Sequence, residues 1–339
     1  MTARTIGVAL LLTFVVTGMA KAQDSIRIAS SSTVYPFVAA VAERFGQTSG
    51  FRAPVIESLG SGGAFKLFCA SAGRGSPDIA GASRRITSAE TGSCAANRVT
   101  AISEIAFGRD GIVLVNAKAG ERFDLTLRDL FLAVAKTVPV KGKLAPNPYR
   151  RWDQINPALP HQDIMIFGPA PNHGTRDMLD ELVMDVACQG LPEIQALDAK
   201  ARQKACEALR EDGPFIEVTE DYGVILQKLL AERQAVGILP FSYVAQKGDE
   251  VKAAVLDGRS PSEESIASGD YPLSRPLYVY VKKAHDGKTP GLREFLRELT
   301  SDKASGKNGY LTEIGLVPLP EPQRKAEAAK AAELPDLTL

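Results

Sequence analysis

The chain has 339 residues, with 40 lysines and arginines against 40 aspartates and glutamates, four cysteines and three histidines. So even a balance offers no basic surface for nucleic acid and no acidic one for basic partners. The length suits two domains with proper cores, and neither C-x-x-C spacing nor a cysteine–histidine cluster suggests a metal site.

Residues 1–22 read as a cleaved export signal. One arginine in Met1–Thr5 precedes the apolar run Ile6–Met19, and Ala20-Lys21-Ala22 supplies a small-residue cleavage site. No later stretch reaches the ~18 apolar residues of a membrane-spanning helix. Export favours disulfides. Cys69, Cys94, Cys188 and Cys206 permit three pairings. The two local ones, Cys69–Cys94 and Cys188–Cys206, are favoured, each stabilising by about 3 kcal/mol through the loop it closes.

Strand-like and helix-like segments then alternate. Ile26–Ala29 leads into a helix over 34–46, and Ala53–Glu57 into one over 62–71. Ile79–Ala82 is a third strand, and Ile105–Phe107 with Gly111–Asn116 forms a longer β-rich run. Residues 126–135 read as a helix capped by Thr126, and the proline- and lysine-rich stretch 137–160 as a surface loop carrying Trp152. Ile164–Phe167 is a strand before a helix over 175–187, and 192–210 is helix-like. Asp221–Glu232 (helix), Ala235–Leu239 and Pro276–Val281 (strands) and Leu292–Leu299 (helix) complete the pattern. From Pro318 on, proline, alanine, lysine and glutamate predict a tail of low order. The alternation predicts α/β layers around a mostly parallel sheet.

Three of the strand-to-helix junctions share a composition: Ser30-Ser31-Ser32-Thr33, then Gly60-Ser61-Gly62-Gly63, then Gly174-Thr175. The first turn of a helix has unpaired N–H groups and a partial positive charge. Glycine admits a ligand to that backbone, and serine or threonine adds a hydroxyl, which together suit a small anion. Any one junction alone is an ordinary helix cap; three that converge would surround one oxyanion without needing net positive charge.

The segments "SSSTVYPF", "GSGGAFKLFC", "DIAGASRRI", "EIAFGRDGIVLVN", "FGPAPNHGTRD", "AVGILPFSYV" and "SRPLYVYVKK" stand in an order that resembles the PstS-type periplasmic phosphate-binding proteins of phosphate ABC transporters. The resemblance runs from about residue 26 to residue 320. It implies a two-lobed periplasmic-binding-protein (type II) architecture, each lobe a mostly parallel sheet flanked by helices, with two crossover hinge strands. Lobe 1 would span 23–107 plus 276–318, lobe 2 108–275, and the low-order tail 319–339. The implied protein is a periplasmic monomer that binds inorganic phosphate, hands it to membrane permease subunits, and carries no cofactor.

Carried over residue by residue, the ligand contacts would be Ser32, Thr33 and the Val34 N–H, then Ser61 and Gly62, then Gly174 and Thr175. Ser83 and Arg84 would complete the set. Arg84 stands where well-known members carry an aspartate that accepts the proton of phosphate. His173 replaces a usual serine. No arginine precedes the third junction, so Arg176 is the expected substitute, held by Asp177, which is also the possible proton acceptor. Other readings remain open: another tetrahedral oxyanion such as sulfate or molybdate, or a phosphate-sensing clamshell uncoupled from transport. A hydrolase is disfavoured, because Leu59-Gly60-Ser61-Gly62-Gly63 is not a G-x-S-x-G elbow.

Overall fold

The computed structural model describes residues 25–171, 174–218, 222–245 and 247–338. The export signal and His173 lie outside the described residues. The strands in chain order are β1 (Arg27–Ser30), β2 (Val55–Ser58), β3 (Ile79–Ala82), β4 (Ile102–Ala117), β5 (Asp124–Leu125), β6 (Thr137–Val140), β7 (Lys143–Pro146), β8 (Ile166–Pro169), β9 (Phe215–Val218), β10 (Val236–Pro240), β11 (Val251–Ala253), β12 (Val255–Leu256) and β13 (Ser274–Lys282). The main sheet runs β2-β1-β3-β13-β4-β10-β8-β9, with β11 also on β4.

β4 joins two half-sheets. Its first part, Ile102 to Gly111, pairs antiparallel with β13, and Ile112 to Asn116 pairs antiparallel with β10. On one side β1, β2 and β3 are parallel; on the other β8, β9 and β10 are parallel. Buried side chains divide along the same line. One core gathers Ile112 through Leu273 and reaches Val317, while another combines Ile26 through Phe107 with Leu277 through Leu334. A parallel sheet needs both faces covered, and each half has its own helices. The helix Tyr35–Thr48 starts with Pro36 in its first turn and buries Phe37, Val38, Val41 and Phe45 at helical spacing. Phe45 meets Phe295 of the helix Leu292–Leu299 edge-on, with ring centroids 5.7 Å apart.

Both local disulfides are present, Cys69–Cys94 and Cys188–Cys206. No described helix is long and apolar enough to cross a membrane.

Two expectations need correction. Residues 137–160 are not a plain surface loop: they contain the β6–β7 hairpin, and Trp152 is fully buried, edge-on to Phe123 at 5.2 Å. The aromatic load outweighs the charged flanks, which pair off as Lys136–Glu211 and Arg150–Asp212. Nor is the end of the chain a tail of low order. Glu321–Glu333 is a helix with Pro322 in its first turn, and Ala331 and Leu334 enter the core built on Ile26–Phe107. Its weakly apolar composition concealed this, because it is held by backbone groups as much as by side chains. Glu327 accepts the Ala106 N–H at 2.9 Å, Ser103 donates to the Pro335 carbonyl at 2.5 Å, and the Leu337 N–H bonds the Ile102 carbonyl at 2.8 Å. The segment therefore covers the edge of β4 that β13 leaves free.

Candidate functional site

β1, β2 and β3 end in register, Ser30 opposite both Ser58 and Gly81. Their carboxyl ends deliver the first two junctions, and the loop after β3, to one rim of the sheet. This is where ligands of parallel α/β sheets bind. Gly81 is required there: a Cβ would stand 2.7 Å from Ser30 Oγ and 2.8 Å from Val34 Cγ1.

The four hydroxyls of the first junction divide the work. Ser30 is buried in the strand end, its hydroxyl donating to the Ser31 carbonyl at 3.1 Å. Ser31 is the helix cap, its Oγ accepting the Val34 N–H at 3.2 Å and its carbonyl the Tyr35 N–H at 2.9 Å. The Val34 N–H expected at a ligand is therefore engaged within its own turn. Ser32 and Thr33 face the other half of the molecule. Ser32 donates to the Asp177 carboxylate. Thr33, 4% exposed, approaches the Gly174 carbonyl at 3.5 Å and receives a hydrogen bond from Arg275 Nη2 at 2.5 Å.

In the second junction Gly60 sits at φ +68°, a left-handed turn that favours glycine. Ser61, buried at the start of the helix Gly60–Phe68, lies 3.1 Å from Ser83 Oγ and accepts the Ser83 N–H at 3.2 Å. In the third, Gly174 starts a helix that continues through a π-helical stretch, Asp180–Asp185, to Gln189. A Cβ on Gly174 would lie 3.0 Å from Thr33 Cα, so glycine lets the two backbones approach. Thr175 is buried and its Oγ1 lies 2.7 Å from the Tyr222 hydroxyl.

The structure thus joins the first and third junctions directly, across the line that divides the two cores. The second lies beside the first on the rim but bonds mainly within itself. Arg84 is close to it, since a Cβ on Gly62 would lie 3.8 Å from Arg84 Nη2. Its guanidinium, however, is held in a two-pronged pair by Glu90 at 2.8 and 2.9 Å, and that pairing keeps it firmly charged. The same Glu90 accepts the Thr87 N–H at 2.8 Å, which fixes the pair to the start of the helix Ser88–Ala96.

Arg176 does not sit where the sequence suggested. Its Nε bonds Asp180, one helical turn on, at 3.0 Å, its Nη1 bonds Glu217 at 2.7 Å, and Asp177 is not its partner. Spacing explains this: residues i and i+4 share a helix face, whereas i and i+1 do not.

The arginine of the seam is Arg275, at the start of β13. It is 3% exposed and bonds Glu181 at 2.5 Å as well as Thr33. Its Nε has no hydrogen-bond partner among the described residues. Burial lowers its pKa, while the carboxylates of Glu181, Asp110 and Asp177 hold it charged. Arg275 stands opposite Asp110 of β4 in the ladder, so the two side chains share one face of the hinge. Burial raises the Asp110 carboxyl to about 6, against the pull of Arg275 and of the Gly111 N–H, which donates to it at 2.8 Å. Sequence reasoning passed over Arg275, Asp110 and Glu181. The available signal was a charge inside each of two otherwise apolar strand segments, "FGRDGIVLV" and "SRPLYVYV".

Comparison with known proteins agrees with this arrangement. The model of the PBP superfamily domain matches residues 15–303. Protein SphX of a Synechocystis species is 31% identical over 307 residues, covering 88% of this chain and 79% of that protein. Phosphate-binding protein PstS of Staphylococcus saprophyticus is 27% identical over 325 residues, covering 93% and 86%. The crystal structure of a possible phosphate binding protein from Planctomyces limnophilus superimposes with a TM-score of 0.72 at 26% identity, over 92% of this chain and 98% of that one.

Proposed function

The chain belongs to the PBP superfamily, and from that premise we propose that it binds inorganic phosphate outside the cytoplasm and delivers it to an ABC permease. It acts as a periplasmic carrier and not as an enzyme. Ser32, Thr33, Ser61, Gly62, Ser83, Gly174 and Thr175 supply hydroxyls and helix N-termini, and Arg275 supplies the charge. Arg84 lines the rim from its pair with Glu90.

The observation that carries this reading is the seam at Thr33, Gly174 and Arg275. Donors from both lobes meet there around one buried guanidinium. An anion held by both sides favours the closed arrangement over the open one, and a permease that recognises both lobe surfaces then reads occupancy as shape. Relatives named for phosphate binding and transport support the substrate and the partner.

The test is calorimetry. Protein freed of ligand by partial unfolding and refolding is titrated with phosphate, sulfate and molybdate. Tight phosphate binding is the expected result. Equal binding of all three would make the site a general oxyanion clamp, and no binding at all would reduce the three junctions to helix caps.

A further inference from the structure

We propose that Asp110 selects the protonated form of a tetrahedral oxyanion, its second carboxylate oxygen accepting the proton that phosphate carries and sulfate lacks. This deepens the phosphate reading and rests on it. The place where an acid was expected, after β3, holds Arg84, and Asp177 already accepts the Ser32 hydroxyl. Asp110 is the carboxylate that lies on the hinge face of the buried arginine. One of its oxygens takes the Gly111 N–H, and among the described residues the other accepts no hydrogen bond.

The charges around the seam favour a proton on the ligand. Arg275 faces Glu181, Asp177 and Asp110, three carboxylates to one guanidinium. Asp110 itself faces Arg275 on β13 and Tyr222 on the helix Tyr222–Ala231, which is buried and kept neutral. An ion that brings only acceptor oxygens meets repulsion from the carboxylates. An ion that brings an O–H turns one of those carboxylates into a hydrogen-bond partner. Phosphate keeps at least one proton at every pH between 5 and 8.5, and sulfate keeps none.

The sign of the pH effect follows. With its carboxyl raised to about 6, Asp110 is an acceptor at pH 7.5 and becomes a donor as the pH falls through 6. A donor no longer repels sulfate. We therefore expect the wild-type protein to prefer phosphate strongly at pH 7.5 and to gain sulfate affinity as the pH drops to 5. Asp110→Asn, whose amide can donate at any pH, is expected to lose phosphate affinity about 10- to 100-fold and to gain sulfate affinity about 10-fold. Its sulfate binding should no longer depend on pH. The gained binding separates this outcome from simple misfolding.

The measurement is calorimetric titration of wild type and Asp110→Asn with phosphate and with sulfate, at steps from pH 5 to 8.5. Undiminished discrimination in Asp110→Asn overturns the proposal. So does a wild-type preference that is flat with pH, or a selectivity that moves with Asp177→Asn in place of Asp110→Asn. A wild-type protein that binds no phosphate at all would sink the carrier reading itself.

Discussion

β13 carries a buried cation at each end, and the two ends are built to opposite rules. At its start, Arg275 lies in the seam with an unpartnered Nε and with Asp110 across the ladder. At its finish, Lys282 donates to the Ser71 carbonyl at 2.6 Å and to Ser76 Oγ at 2.7 Å, over the ring of Phe68. Beside it Asp78 is saturated. It takes the Arg27 N–H at 2.7 Å and the Thr289 hydroxyl at 2.6 Å, and it pairs with His285 Nδ1 at 2.7 Å. His285 Nε2 in turn lies 3.2 Å from the Ala72 carbonyl. A buried polar network that is complete fixes a structure, whereas one with donors to spare can accept a guest. The far end of the sheet is a foundation and the near end is a receptor, with nine residues of one strand between them.

That contrast can be broken by experiment. The largest effect is expected at the foundation. Asp78→Ala leaves buried donors unpartnered and should lower unfolding stability by about 3–5 kcal/mol, read from the urea midpoint, with phosphate affinity unchanged in the protein that remains folded. At the receptor the pattern reverses. Arg275→Met should weaken phosphate binding by about 3 kcal/mol, or ~150-fold, with a smaller change in stability. If Arg275→Met unfolds the protein and leaves its affinity intact, the two ends do not differ as described.

Smaller changes sharpen the picture. Thr175→Ala and Ser61→Ala should each weaken phosphate binding by roughly 1–3 kcal/mol in the same calorimeter. Parity with wild type in both would remove their junctions from the site. The gentlest probe is pH. Burial holds the Lys282 ammonium down at about 8, opposed by the Asp78 carboxylate, while the unfolded chain keeps lysine near ~10.4. Between those values the unfolded state binds more protons, so Lys282 makes stability rise with pH, by up to ~1 kcal/mol per unit. Denaturation of wild type and Lys282→Met at pH 7 to 10 isolates that slope, and parallel curves would count against it.

The fold was largely legible because its signals are local. Alternating apolar strands and helices of repeat 3.6 named most elements, and the helix Leu292–Leu299 emerged with the ends that its apolar spacing gave it. The junction hydroxyls were legible for the same reason. What escaped were groups whose meaning is set by partners far along the chain. Arg275 meets Glu181 and Thr33 at sequence distances of 94 and 242. Arg176 looked plausible only because the third junction was read without Asp180 and Glu217 beside it. The final helix escaped through composition: alanine, lysine and glutamate describe a solvated tail as well as a helix, and only its contacts with β4 decide between them.

Those contacts set an order of assembly. The core from Ile112 to Leu273 comes from one unbroken stretch of chain and is complete once that stretch is made. The other core begins at Ile26 and is closed by Leu334, so it waits for nearly the last residue to be synthesised. Until then the early half of β4 has a bare edge, open to pairing with any passing strand. A chain that stops short of Glu321 would therefore keep a finished half and an unfinished one, and its fault would lie in aggregation before it lay in binding.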